Sequence, residues 1–484
     1  MLCRWEVPSG LSDLVGAKVL ATDLLSIGAA SPDSDVQGQR WVVSQRKDAA
    51  LVRSGMRINL HDYSGHPFQA QLARELAARG HEVVHTHAAQ YETGHGQLKR
   101  LPGDPDGLEF ESITADAPLI KYSPLRRTRF EFSYARAWRQ RLATQDFDLV
   151  IACNIPLFAL ARMQPYFRRR GIPWMLWHQD IYSLGVAGEA SRQLPPSLAR
   201  LVKDYAQYLE KNQVTQARKV VAIGDEFVRQ YERWGLDTGH AHVIANWAPL
   251  DELVPGARDN EWSRSQNLPT KPVRLLYAGT LGRKHNPALL VELLDGACAR
   301  GVDAFLTVIS EGVGADQLKQ MCAGRGDVTI LGYQDADHFS NVLASADILI
   351  ALLEPDAANF SVPSKVLSYL SAGRPIIAMV PDGNPAALDV LEAGGCVAPP
   401  TSAGAIDAAG WLALVKDDRA ALQMLGRRSR ALAERRFDIV SIGDEFEEIL
   451  LDAVGRQVTP LRRTSLVAPG VEQEPIADLD EAVS

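Results

Sequence analysis

Five residues, Ile376–Val380 (IIAMV), constrain this chain more than any others. They have no polar face, so as a strand they must be covered on both sides, the condition of a parallel sheet sandwiched between helices. The stretch in front of them, SVPSKVLSYLSAGRP from Ser361 to Pro375, supplies such a helix. Ser361 is placed to cap the first turn, and Pro363 stands near the helix start, where a missing N–H costs nothing. Val366, Leu367 and Leu370 then make a narrow apolar stripe at helical spacing. Gly373 offers the left-handed residue that ends the helix, and Pro375 prevents its continuation. Ser364 and Lys365 fall in the first turn, where free backbone amides and the helix dipole favour an anion. The stretch reads as a phosphate seat with a cation beside it; the alternative is a surface lysine on an ordinary helix.

The same grammar runs along the rest of the chain. From Met56 a short strand, Arg57–Leu60, leads into the polar glycine loop Asp62–His66. Phe68, Leu72 and Leu76 then share one helical face, Gly80 ends the helix, and Glu82–His85 is the next strand. Asp148–Cys153, Trp174–Trp177 and Lys219–Ile223 continue this half, and Val243–Trp247 closes it. A second series starts at Val273–Ala278 and goes on through Phe305–Ile309, Val328–Leu331, Ile348–Leu352, Ile376–Val380 and Cys396–Ala398, with helices between. Late helices are expected around 417–434 and 442–454. This pattern predicts an α/β protein of two doubly wound domains, 56–247 and 273–456, joined by a Pro-, Asp-, Ser- and Asn-rich linker over 248–272. Residues 1–55 have few periodic segments and read as an extension without legible structure, or as the product of a start codon set upstream of the true one, with a lean to the latter. Residues 457–484 turn to Pro, Glu, Asp and Ala without periodicity, the composition of a disordered tail.

Composition removes several classes of function. The 484 residues are 46% hydrophobic with mean hydropathy −0.11, ample for two cores. A net charge of −8 does not suggest a nucleic-acid partner. The five cysteines are scattered without a C-x-x-C pair, which argues for reduced thiols in the cytoplasm rather than disulfides or a zinc site. No apolar window is long enough for a spanning helix, and the N-terminus lacks a signal-peptide layout. Three D-x-D stretches (104–106, 335–337, 478–480) are discounted as metal motifs, since none follows a strand in a suitable position.

Local charge tells a different story from the total. Lys121, Arg126, Arg127, Arg129, Arg136, Arg139 and Arg141 stand against the single acid Glu131, interleaved with Phe130, Phe132, Tyr134 and Trp138. Basic and aromatic residues mixed in this way suit an anionic membrane surface or a lipid-phosphate substrate, and a solvated helix face is the alternative. Polar residues after strands, such as His178 and Asp180, fall where an α/β sheet opens its ligand crevice. The loop Gly279-Thr280-Leu281-Gly282-Arg283-Lys284 lets backbone approach an anion and adds two cations. With Lys365 in the same domain it makes a two-sided clamp for a diphosphate.

The motifs WHQDIYS, VIANWAPLDEL, YAGTLGRKHNP, ISEGVGADQLK, LGYQ, PSKVLSYLSAGRP and RRFDIVSIGDEFEEIL together resemble glycosyltransferase family 4, in its fucosaminyltransferase-like bacterial polysaccharide subgroup, from Met56 to about Leu451. The resemblance implies two Rossmann-like domains facing each other across a cleft (the GT-B architecture). The second domain would bind a nucleoside-diphosphate sugar, UDP-linked by default, and the first the acceptor. It further implies that Lys284 contacts the donor diphosphate, with Arg283, Gly279, Thr280 and Gly282 around it. Ser310–Gly312, Gly332 and Tyr333 would border the base, and Ser364 and Lys365 would complete the donor site. His178 and Asp180 would face the transferred sugar, and Gly65 would approach the phosphates from the other side. Retention of configuration, no cofactor and no obligatory metal are implied as well. The acceptor expected is a saccharide or a polyprenyl-diphosphate-linked saccharide, and Arg126, Arg127 and Arg129 are candidates for the membrane or acceptor, on a cytoplasmic protein peripheral to the inner face of the cell membrane.

One departure from the family pattern matters. The two glutamates that hold sugar and ribose in the family's E-x7-E motif are replaced here by Phe360 and Ser368, with Glu354 too far upstream to fit. Ser368, one turn beyond Lys365, can still hydrogen-bond ribose. Two other readings use the same architecture: a sugar-nucleotide 2-epimerase, which needs acid and base carboxylates near the sugar, and a non-catalytic sugar-nucleotide-binding partner subunit.

Overall fold

The computed structural model describes residues 55–90, 96–117, 124–270, 272–281, 286–353, 364–381 and 383–456. The expectations for 1–54 and 457–484, and those for Glu354, Phe360, Ser361 and Pro363, lie outside the described residues. Two parallel sheets carry the fold. The first holds β1 (Arg57–Asp62), β2 (Glu82–Ala88), β3 (Leu108–Ile113), β4 (Leu149–Cys153), β5 (Trp174–His178), β6 (Val220–Ala222) and β7 (Ala241–Val243), in the order β3-β2-β1-β4-β5-β6-β7. The second holds β8 (Val273–Ala278), β9 (Ala304–Ile309), β10 (Val328–Leu331), β11 (Ile348–Leu352), β12 (Ile376–Met379) and β13 (Cys396–Ala398), in the order β10-β9-β8-β11-β12-β13.

Each sheet is wound outward from its first strand and then reverses. The reversals fall between β1 and β4 and between β8 and β11, where Leu60 pairs with Ile151 and Leu276 with Leu349. Connections on the two sides of a reversal leave in opposite directions, so a crevice opens at the carboxyl ends of those strands. The fold thereby fixes where a ligand can enter each domain: after Asp62 and Cys153 in one, after Ala278 and Leu352 in the other.

Burial explains the strand composition. Leu149 to Cys153 and Ile348 to Leu352 are buried at every position, as strands covered on both faces must be. One face of the first sheet packs on the helix Pro124–Leu142, and here the structure corrects the sequence reading. Phe130, Tyr134 and Trp138, spaced four residues apart, are core residues, and Trp138 donates to Asn59 Oδ1 at 3.3 Å. Among the four interleaved aromatics of that segment, only Phe132 reaches the surface. The edge strand β3 has no counterpart in the sequence reading. Its Glu109 and Glu111 break the apolar run, and Glu111 is held by Arg141. The paired helices Tyr182–Gln193 and Pro196–Gln216, between β5 and β6, are likewise absent from it. The last strand of the first sheet is Ala241–Val243, and Ile244 and Trp247 of the segment expected to close this half pack in the first domain's core.

The segment 248–272 is packed chain. Leu253, Trp262 and Leu268 enter the second domain's core, and buried Arg274 donates to the carbonyls of Leu268 and Pro269 and to Asp259. The chain then returns. The helix Ile439–Ala453 lies on the first sheet, with Ile442, Phe446 and Leu450 in the same core as Leu72, Leu76 and Trp177. Gly443 permits this approach, since a Cβ there would stand 2.8 Å from the Glu75 side chain. The outgoing and returning crossings are bonded to each other, Ala248 N donating to Phe437 O at 2.8 Å. Trp177 sits between Trp247 and Phe446, with ring centroids 5.8 and 5.0 Å away.

The returning helix therefore contributes to the stability of a domain remote in sequence. Phe446→Ala is expected to cost about 3–5 kcal/mol, read as an earlier unfolding transition of the first domain in urea, with the second domain's transition unmoved.

Candidate functional site at the facing strand ends

A cavity of about 610 Å³ lies between the two domains. From the first domain it is lined by His66, Phe68, Asn154, Asp180 and Asn246, and from the second by Gln334, Phe339 and Ser368. His66 follows β1 and Asn154 follows β4, so this wall is the crevice that the reversal of the first sheet predicts. Phe68 presents an apolar side between the polar groups.

The second domain's half of the site is built on a half-buried cation. Lys365, near the start of the helix Ser364–Ser371, points its Nζ to the hydroxyl of Tyr277 at 2.9 Å and over that ring at 4.3 Å from the centroid. It has no carboxylate partner among the described residues, and burial alone brings its pKa down from 10.5 to about 8. Gly279 lies against this amine at φ +144, where a Cβ would sit 3.0 Å from Nζ. Only glycine leaves that space open. The tyrosine of the PSKVLSY stretch secures the strand end behind it: Tyr369 Oη accepts from Ala278 N at 3.0 Å and donates to Ala278 O at 3.1 Å. Burial raises the Tyr277 and Tyr369 hydroxyls above their ordinary range, so both stay protonated and serve as donors.

Around this amine the loops are tied together. Tyr277 Oη donates to Thr280 O, and Thr280 Oγ1 is 2.6 Å from the hydroxyl of exposed Tyr333. Leu281 N donates to Ser310 Oγ, and Glu311 Oε1 accepts from Tyr333 N. Gly312 begins the helix Val313–Met321 at φ +103, close under Leu281 O, and Gly332 leaves room for the Glu311 carboxylate. The structure thus brings Gly279, Thr280, Gly312, Gly332, Tyr333 and Lys365 together, with Ser368 on the cavity wall. Gly282, Arg283 and Lys284, and the side chains of Ser364 and Arg126, lie outside the described residues.

The first domain's half departs from the sequence reading at two residues. His178 does not face the cavity. Its Nδ1 is 2.6 Å from Tyr231 Oη and its Nε2 is 3.2 Å from Glu210 Oε1, inside the domain. With both ring nitrogens engaged and 4% of its surface exposed, it is a structural histidine that braces the helix carrying Glu210. Glu210 in turn accepts from the amides of Tyr182 and Ser183 and fixes the next helix start. Gly65 is buried at φ +70, and the amides around it are already taken. Asp62 accepts from Ser64 N at 3.2 Å and His66 N at 2.6 Å, and from Asn154 Nδ2 at 2.8 Å. A carboxylate of the chain itself fills the turn, which leaves little for a phosphate to bind. Burial nevertheless raises the Asp62 pKa.

Asp180 does reach the cavity. Crowding by protein raises its pKa, opposed by His178 and His66. The cavity is also lined by His66 of the glycine loop and by Gln179 beside Asp180, and by two residues the sequence reading did not place at a site, Asn154 and Asn246. Asn154 adopts φ +54, a left-handed turn directly after β4, and its place after a buried strand is the signal that would have found it. Gln179 and Asn246 exchange two amide hydrogen bonds of 2.9 and 3.0 Å, joining the end of β5 to the crossing chain. On the basic helix, Arg127 is paired with buried Glu131 and Arg129 is exposed. Among the described residues no group of three His, Cys, Asp or Glu side chains could hold a metal ion.

Comparison with known proteins agrees with this division. Residues 66–247 match the model of the glycosyl transferase 4-like domain, and residues 272–417 that of glycosyl transferases group 1. No curated protein matches the sequence. Among solved structures, sucrose-phosphate synthase from Thermosynechococcus elongatus superposes with a TM-score of 0.62 at 17% identity, over 82% of this chain and 98% of that one. HepE from Anabaena, solved with UDP and glucose, gives 0.60 at 15% identity, over 82% of this chain and all (100%) of its own. The catalytic domain of starch synthase IV from Arabidopsis thaliana, bound to ADP and acarbose, gives 0.57 at 12% identity, over 83% and 100%. At these identities the likeness is one of fold, two Rossmann-like domains in the GT-B arrangement. With a glycosyl transferase 4-like domain followed by a group 1 domain, one on each side of the cleft, the chain is a glycosyltransferase.

Proposed function

We propose that the protein transfers a sugar, with retention of configuration and without a metal, from a nucleoside-diphosphate sugar held by the second domain to a saccharide or lipid-linked acceptor held by the first. The observation that carries this is Lys365, a half-buried amine with no carboxylate partner among the described residues, set beside the open backbone of Gly279 at the switch point of the second sheet. A cation kept unpaired in this way is a seat for an anion, and a diphosphate fits the loop beside it. HepE, solved with UDP and with UDP-glucose, supports a uridine donor on the same fold.

In this reading the bond between the sugar's anomeric carbon and the donor diphosphate breaks, its electron pair leaving with the diphosphate, while an acceptor hydroxyl bonds to the same face of that carbon and passes its proton to the departing diphosphate. The charge that develops on the leaving diphosphate is met by Lys365, by Arg283 and Lys284 of the adjoining loop, and by the amides of the helix Ser364–Ser371. Asp180, on the opposite wall, accepts a hydrogen bond from the acceptor hydroxyl. Ser368 takes one ribose or sugar contact that a family glutamate would make. Product belongs to cell-surface polysaccharide or glycolipid synthesis.

The cost of keeping Lys365 charged is measurable without substrate. In the folded protein the amine deprotonates near pH 8, in the unfolded chain near 10.5, so the unfolded state binds more protons between those values and stability rises with pH across them. Lys365→Met is expected to stabilise the ligand-free protein at pH 7 by about 1–3 kcal/mol, with the gain shrinking as pH approaches 10. Thermal unfolding of both proteins over that range tests it; a variant less stable than the parent at pH 7 would contradict it.

Donor binding should show the opposite dependence. An anion favours charged Lys365, so UDP affinity is expected to fall by up to about tenfold per pH unit above pH 8. Lys365→Arg should flatten that profile, and Lys284→Ala should remove the thermal stabilisation that UDP gives at pH 7. Titration calorimetry and a thermal-shift screen of nucleotides read both; no shift with any nucleotide would end the transferase reading. Interconversion of free sugar nucleotides without acceptor would instead identify an epimerase.

A further inference from the structure

The helix Pro196–Gln216 has a second apolar face that the fold does not use. Its inner side, with Ala206, Leu209 and Val214, is buried. On its outer side Leu198, Leu201, Tyr205 and Tyr208 follow one another at intervals of three, four and three residues, so they form one stripe. They are 44%, 65%, 52% and 62% exposed. The stripe does not end with the helix. Tyr205 packs against Phe158 of the helix Leu157–Arg170 at 6.1 Å, and Phe158 against Phe132 of the basic helix Pro124–Leu142 at 6.3 Å. Four rings thus run in file across three helices of the first domain, with Tyr205 and Tyr208 6.5 Å apart at one end.

Cations flank this file. Arg129, Phe132 and Arg136 share one face of the basic helix by the same spacing, and the Arg162 guanidinium lies 4.4 Å from the Phe132 ring centre. Arg200 and Lys203 stand on the outer side of the stripe helix. None of these five cations is ion-paired among the described residues, whereas Arg127 and Arg192 are, to Glu131 and Glu189. The bias is regional: 124–216 holds fourteen Arg and Lys against seven Asp and Glu, in a chain whose net charge is −8.

We infer that this face docks on the surface of an anionic lipid bilayer. The charge selects the partner: exposed tyrosines and leucines with unpaired arginines and lysines around them match the interfacial zone of a membrane, where the rings sit among headgroups and the cations meet lipid phosphates. A second copy of the chain is disfavoured, since it would bring two positive faces together. The surface does not depend on the sugar-transfer reading, because it shares no residue with Lys365 or its loop. Among the described residues no helix is long and apolar enough to cross a membrane, so the attachment is lateral.

Flotation of the full chain with phosphatidylcholine vesicles, with and without phosphatidylglycerol, tests the inference. Binding is expected only with the anionic lipid and should weaken as salt is raised. Leu201→Ser with Tyr205→Ser and Tyr208→Ser, and separately Arg129→Glu with Arg136→Glu, should each lower the bound fraction at least about tenfold. The thermal midpoint and the UDP-induced shift should be unchanged, which separates a lost surface from a lost fold or a lost donor site. Absence of flotation by the parent protein would overturn the inference. So would variants that bind vesicles as the parent does, or serine variants that turn a dimer into a monomer in light scattering.

Discussion

A single hydrogen bond, Ala248 N to Phe437 O, marks the place on which the whole architecture turns. The chain leaves the first domain there and comes back beside itself, so the two domains are joined by two adjacent strands of backbone. Trp247, on the outgoing strand, is bonded through its indole to Gln71, and Gln71 reaches on to Glu252. Phe446, on the returning helix, meets Trp177 at the end of the first sheet's core. The cavity opens beside this double crossing. Asn246 and Leu253, the residues just before and after the outgoing crossing, both line it. The chain that joins the domains is therefore also part of the cavity wall.

The two halves of the site are asymmetric in their electrostatics. In the first domain the turn after β1 is neutralised from within, Asp62 being surrounded by the amides of Ser64 and His66 and by Asn154. In the second domain the corresponding turn after β8 faces an amine that has no carboxylate partner among the described residues. Equivalent positions in two copies of one topology have thus been given opposite tasks. The inward carboxylate ties down a loop that shapes one wall, and the amine lends positive charge to the other domain's turn. This division, rather than the repetition of the fold, is what makes the two walls of the cavity chemically different.

Most of the architecture is legible in the sequence because it rests on short apolar runs. Ile348–Leu352 and Ile376–Met379 could be read almost to the residue, since strands buried on both faces have nothing else in them. Elements whose burial is one-sided escaped. The edge strand Leu108–Ile113 alternates with glutamates, and the helix Pro196–Gln216 has apolar residues on two faces, so its periodicity is blurred. Within the site, Gly279 and Lys365 follow from local rules about glycine and helix starts. His178 does not, because its position after β5 is right and its direction is wrong: Tyr231 and Glu210, which turn it inward, come from helices far along the chain. The aromatic residues of the basic helix failed for the same reason. Spacing shows that Phe130, Tyr134 and Trp138 share a face, and only the packed sheet shows that this face points in.

The return of the last helix has a consequence for how the protein is made. Synthesis proceeds from the N-terminus, yet one side of the first sheet is covered by Ile442, Phe446 and Leu450. Until those residues leave the ribosome, Leu72, Leu76 and Trp177 border an open apolar surface. The second domain draws its core from residues 248–437 and has all of it in hand earlier. The domain translated first is thus the one completed last, and during that interval the nascent chain has the strongest need of a chaperone.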